Sequence, residues 1–142
     1  MSTRALAPFH LAFPMKDKEE TRRFYIDMFA VEIGREAEKW IDINFFGHQV
    51  SFHLKPEIFV DEPTNEVDGK SVPVRHFGVI LDWDEWHNLS AHLKSQNVSF
   101  IIEPYIRFKG ETGEQATLFF LDPSGNALEF KSFKDKNQIF AS

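Results

Sequence analysis

Residues 121–133 read LDPSGNALEFKSF. Pro123 at the second position of Asp122-Pro-Ser-Gly presets φ, and Gly125 at the fourth suits the commonest four-residue turn. The stretch therefore predicts a hairpin, with one strand ending at Leu121 and the next running to Phe133. Alternation along the second strand puts Leu128 and Phe130 on a face suited to packing against a helix, and Ala127, Glu129 and Lys131 on the other. Glu129 is thus a carboxylate in the middle of an otherwise apolar strand. An unpaired charge there is costly, and the usual remedies are a metal, a cation or a raised pKa.

Upstream of the hairpin, Val74–Leu81 alternates as a strand and Trp83–Gln96 carries Trp86, Leu89 and Leu93 at helical spacing before a stop at Asn97. Val98–Ile102 reads as a strand and Glu103–Gln115 as a polar loop, so residues 74–133 spell βαβββ. The same order occurs earlier. Pro8–Met15 alternates as a strand, and Asp17 caps a helix to Ala30 with Phe24 and Met28 on one stripe. A weaker strand at Val31–Ala37 precedes Trp40–Phe46, with Ile41, Ile43 and Phe45 on one face; Gly47 marks a turn and His48–Leu54 is a further strand. Residues 55–73, acidic and proline-containing, read as the linker between the modules 8–54 and 74–133 and as a candidate lid.

Superposing His10 on His76 and Gly47 on Gly125 sets Ser51 opposite Glu129 and His53 opposite Lys131. The expected fold is α+β: two βαβββ modules building a curved mixed sheet around one concave cavity, into which His10, Ser51, His76 and Glu129 point. Small residues Ala12 and Gly78 beyond each His are expected to leave room for a ligand.

Composition bounds the function. With 142 residues the chain is expected to be one domain, and 42% hydrophobic residues with 16 Phe indicate a packed core. A formal charge of −6 argues against a nucleic-acid partner, and the lack of cysteine excludes disulfides and thiolate metal sites. No stretch approaches a membrane span or a cleavable leader, so no membrane association and a cytoplasmic location are expected.

Two imidazoles and a carboxylate from separate strands form a 2-His-1-carboxylate set, which leaves adjacent positions open on Fe(II) or a similar ion. His10, His76 and Glu129 are the candidate ligands, for Fe(II) first and equally suited by type to Mn(II), Zn(II), Co(II) or Ni(II). Without a metal, the two His would be hydrogen-bonded to backbone and Glu129 would pair with Lys131 or Arg75. His48, His87 and His92 read as structural, Trp83 and Trp86 as core.

The strand PFHLAFPM with the helix RRFYIDMF, the strand VRHFGVIL and above all FFLDPSGNALEFKSF resemble the glyoxalase/bleomycin-resistance/extradiol-dioxygenase superfamily, the vicinal oxygen chelate proteins. The likeness is greatest to small proteins described as extradiol-type dioxygenases. It implies a metal-centred cup, a homodimer in which the cup of some relatives is completed across the interface, and His10, His76 and Glu129 in the three ligand positions. A glyoxalase I offers a fourth ligand where this chain has Ser51. In the dioxygenases an acid/base His lies at the position of His53, and a Tyr lies where this chain has Phe119, for which Tyr105 is a candidate substitute. The implied reaction is cleavage of a catechol-like ring, or another aromatic or vicinal-oxygen substrate, with O2, His53 moving a proton, Arg107, Lys109 and Lys131 balancing an anionic substrate, and Ser51 and Phe119 also contacting the substrate. A metal-dependent isomerase or lyase of glyoxalase type and a metal-free drug-binding protein are the alternatives on the same fold.

Overall fold

The computed structural model describes residues 6–57 and 64–141. The chain divides into two compact units, residues 1–58 and 59–142.

In the first unit the order is β1 (His10–Met15), α1 (Lys18–Phe29), β2 (Glu32–Ala37), β3 (Trp40–Phe45) and β4 (His48–Leu54). The sheet order is β1-β4-β3-β2, with β1 parallel to β4 and the other pairs antiparallel. Asp17 caps α1 as expected, its carboxylate accepting from the Glu20 amide at 2.7 Å. The helix buries Thr21 and Tyr25 fully, with Phe24 and Met28 only half-buried. Tyr25 is the centre of the packing because its ring reaches Phe52 at 4.8 Å and Phe45 at 6.2 Å, each aromatic pair worth about 1 kcal/mol beyond area burial. Ile41, Ile43 and Phe45 form the buried face of β3, as alternation predicts. Phe46 and Gly47 turn the chain between β3 and β4 with φ of 53° and 87°, the positive pair that a two-residue hairpin needs.

The second unit contains β5 (Thr64–Val67), β6 (Lys70–Pro73), α2 (Trp83–Ser95), β7 (Phe100–Arg107), β8 (Gln115–Leu121), β9 (Ala127–Phe133) and a 3-10 turn at Lys136–Gln138. The hairpin read from residues 121–133 is present: β8 and β9 pair antiparallel from Gln115–Phe133 to Leu121–Ala127. Its turn is held by the buried Asp122, whose carboxylate accepts from the amides of Ser124 and Asn126 at 2.9 and 2.8 Å and from the Asn126 side chain at 3.0 Å. Leu118, Phe120, Leu128 and Phe130 are fully buried on the face covered by α2, and the Trp86 indole donates to the Phe130 carbonyl at 2.9 Å.

Three local expectations need correction. Within 55–73, read as a linker, β5 and β6 form a hairpin around Asp68-Gly69, whose φ values of 48° and 80° are again a positive pair. Its Val72 is buried with Ile102, Phe119 and Ala127, so this hairpin is part of the packing of its unit; residues 58–63 of the expected linker lie outside the described residues. Val74–Leu81 is not a continuous strand; it touches β9 in parallel at two single bridges, Phe77–Leu128 and Ile80–Lys131, in one register. Finally, β7 runs on to Arg107, so Tyr105 and Arg107 lie on a strand paired with Thr117 and Gln115, and only residues 108–114 form the loop. Pro104, which has no amide hydrogen, sits in the irregular stretch of that ladder between Ile102 and Tyr105.

The internal repeat has a direct structural counterpart. In the first unit Leu11 pairs with Val50 and Pro14 with His53; in the second, the superposed positions Phe77–Leu128 and Ile80–Lys131 make the two bridges.

Candidate functional site

In the second unit, residues 76–80 and β9 line an open pocket of about 260 Å³ that contains His76, Glu129 and Lys131. Two strand segments meet there because Gly78 lies on the Glu129 backbone: a Cβ at Gly78 would stand 1.6 Å from the Glu129 carbonyl oxygen. The small residue at 78 is therefore required by close backbone approach, which corrects the expectation that it leaves room for a ligand.

His76 Nδ1 lies 3.1 Å from the Pro73 carbonyl, which only accepts, so the ring hydrogen is on Nδ1. In the neutral ring Nε2 then carries a lone pair, and it faces Glu129 Oε2 at 3.8 Å. Two acceptors turned toward each other at that distance are the donor set for a cation. Phe119, expected to contact substrate, is fully buried and meets the His76 ring edge-on at 5.0 Å, so it supports the imidazole from behind. The other Glu129 oxygen, Oε1, pairs with Lys131 Nζ at 3.2 Å, the alternative partner anticipated for this carboxylate.

His10 lies at the start of β1 in the first unit, next to Gln49 of β4. His10 Nδ1 is 2.8 Å from Gln49 Oε1; the Gln49 amide nitrogen donates to Asp42 Oδ2 at 3.2 Å, and Ser51 Oγ donates to Asp42 Oδ1 at 2.5 Å. The Ser51 hydroxyl is thus engaged and buried. Asp42 and Gln49 also line an open pocket of about 330 Å³ in this unit. Both were legible only as polar members of alternating strands; their role depends on cross-strand pairing of Asp42 with Ser51 and of His10 with Gln49. His53 is exposed on β4. His48 and His87 are structural as expected: the Phe9 amide donates to His48 Nδ1 at 2.8 Å, and His87 Nδ1 meets the Trp83 carbonyl at 2.8 Å.

The remaining candidates are placed as follows. Tyr105 packs against the Val72–Ile102–Phe119–Ala127 cluster, and its hydroxyl is buried with no hydrogen-bond partner among the described residues. Arg107 is tied to Asp68 of the β5–β6 turn at 3.1 Å, while Lys109 is exposed in the loop. Among the described residues no three His, Cys, Asp or Glu side chains are gathered closely enough to hold a metal; the second unit contributes the pair His76 and Glu129. No described helix is long and apolar enough to cross a membrane.

The model of the Glyoxalase/Bleomycin resistance protein/Dioxygenase superfamily matches residues 8–130. Among solved structures, a glyoxalase/bleomycin resistance protein/dioxygenase from Alicyclobacillus acidocaldarius is 33% identical, with a TM-score of 0.76 over 94% of this chain and 96% of that one. A fosfomycin resistance protein from Listeria monocytogenes (16% identity, TM-score 0.68, 97% and 100% covered) and a glyoxalase/dioxygenase from Nostoc punctiforme (17%, 0.63, 95% and 100%) share the fold. No curated protein sequence matches significantly. The family match covers most of the chain and reaches into both compact units, and the chain belongs to the Glyoxalase/Bleomycin resistance protein/Dioxygenase superfamily.

Proposed function

We propose that the chain is a metal-dependent enzyme of extradiol-dioxygenase type, binding one divalent cation through His76 and Glu129 with His10 as third ligand, from this chain or from a second copy in a homodimer. The observation that carries this reading is the pair of facing acceptors, His76 Nε2 and Glu129 Oε2, with the imidazole hydrogen committed to the Pro73 carbonyl. A bound Fe(II) would supply Lewis acidity and open positions for a chelating vicinal-oxygen substrate and O2. The chain's own residues set the conditions. Glu129 contributes one negative charge, Phe119 fixes the plane of the His76 ring, and Lys131 balances charge beside Glu129. His53, exposed on β4, is the proposed proton carrier for the substrate hydroxyl. Engagement of Ser51 by Asp42 supports a three-ligand rather than a four-ligand site, and hence a dioxygenase over a glyoxalase-type isomerase.

One observation favours a second reading. The Lys131–Glu129 ion pair already neutralises the carboxylate, as it would in a metal-free small-molecule binder. Metal content after anaerobic purification, for the parent and Glu129→Ala, followed by oxygen uptake with a catechol panel, separates the two. Near-stoichiometric iron lost in the variant, with catechol-dependent oxygen uptake, supports the dioxygenase. Metal without oxygen uptake across the panel supports an isomerase or lyase, and no metal after reconstitution refutes the site.

A further inference from the structure

The first unit contains a hydrogen-bond relay whose direction is fixed at one end. Asp42 is an acceptor at both oxygens, receiving Ser51 Oγ at 2.5 Å and the Gln49 amide nitrogen at 3.2 Å. Because the Gln49 nitrogen is directed at a carboxylate, its carbonyl oxygen is the atom facing His10, and a carbonyl oxygen only accepts. His10 must then carry its hydrogen on Nδ1, 2.8 Å away, and keep Nε2 as a free lone pair. His76 reaches the same tautomer by a different route, through the Pro73 backbone carbonyl. His48 shows the opposite arrangement, since its Nδ1 accepts from the Phe9 amide and its neutral ring must carry the hydrogen on Nε2.

We infer that Asp42 and Gln49 are positioning residues that hold His10 in the Nδ1–H tautomer, with Nε2 presented for ligation. Nothing in His10 itself enforces this tautomer. It is set by residues on β3 and β4, and it makes the two repeat-related imidazoles equivalent as donors although no side-chain counterpart of the relay occurs among the described residues of the second unit. The inference rests on the metal site proposed above, while its first half, the tautomer, stands without any metal.

The test uses the full-length, metal-free protein. Long-range ¹H–¹⁵N correlation of the imidazoles near pH 8, about 1.5 units above the ordinary histidine pKa, reads each tautomer. His10 and His76 are expected as Nδ1–H and His48 as Nε2–H, so the histidines calibrate one another. Gln49→Leu, at an exposed position and checked for folding by circular dichroism, should abolish the Nδ1–H preference of His10 and leave His76 unchanged. Mn(II) affinity by calorimetry should fall about 10- to 100-fold in the same variant. The double variant Asp42→Asn, Gln49→Glu moves the charge to residue 49 and reverses the bond between 42 and 49, the new amide now donating, but still offers acceptors to His10 Nδ1–H and to Ser51 Oγ, and should restore both readouts. His10 found as Nε2–H in the parent, or Mn(II) affinity unchanged in Gln49→Leu, overturns the inference. A parent with His10 as Nδ1–H that binds no Mn(II) supports the relay and overturns the metal reading.

Discussion

Gly78→Ala tests the close approach that brings His76 and Glu129 together. The added Cβ would stand 1.6 Å from the Glu129 carbonyl oxygen and 2.6 Å from its carbon. An ordinary carbon–oxygen contact is roughly 3.3 Å, so the backbones must separate by about 1.7 Å. The bonds flanking the collision, from the Glu129 amide to the Phe77 carbonyl at 2.9 Å and from the Lys131 amide to the Val79 carbonyl at 3.2 Å, cannot survive that movement. Two lost hydrogen bonds at about 1 kcal/mol each, with an overpacking cost of about 1–3 kcal/mol, give a destabilisation of about 3–5 kcal/mol. The corresponding fall in Tm is roughly 10–20 °C. Urea unfolding followed by tryptophan fluorescence measures the energy, and amide exchange at Phe77, Glu129 and Lys131 locates it. Gly34→Ala is the control: its Cβ would meet Asp42 at 3.4 Å, an ordinary contact, and should cost less than about 1 kcal/mol. A Gly78→Ala protein with the parent's midpoint and protection would refute the reasoning.

Asp122→Ala removes the acceptor for three hydrogen bonds in the β8–β9 turn and should cost about 3 kcal/mol, read as a lowered urea midpoint with an unchanged slope. Lys131→Met frees Glu129 from its ammonium partner and should tighten Mn(II) binding by about 2- to 5-fold in calorimetry; weaker binding would show that Lys131 assists the site. Glu36 is held below the usual carboxylate range, chiefly by the side-chain hydrogen bond from Arg22 and next by that from Lys18. A depressed folded pKa means its stabilisation is present above the ordinary carboxylate value and is lost as pH falls through the lowered one. The Tm difference between parent and Glu36→Gln should accordingly be constant at neutral pH, close on acidification below the ordinary carboxylate range, and shrink in high salt because the pair is exposed. A gap that persists in strong acid would contradict this.

What the sequence carried by itself was local. The Asp122-Pro-Ser-Gly turn, the Asp17 cap and the alternation that buries Ile41, Ile43, Leu128 and Phe130 all depend on residues within a few positions of one another, so their spacing is enough to read them. The polar faces that carry His10, Ser51 and Glu129 followed from the same alternation, and the register of the repeat from superposing His10 on His76 and Gly47 on Gly125. The β5–β6 hairpin was legible too, in Asp68-Gly69 between short alternating runs, but the length and acidity of the segment read as a connection. Only the tertiary structure decided which atoms meet. Gly78 reads as a small neighbour until the Glu129 backbone is found against it, and Phe119 reads as a substrate contact until its ring is found buried behind His76. The tautomer of His10 is set by Gln49, 39 residues away in sequence, and that of His76 by a backbone carbonyl. Sequence periodicity specifies which face a side chain occupies; hydrogen-bond direction depends on cross-strand neighbours, which register alone brings together.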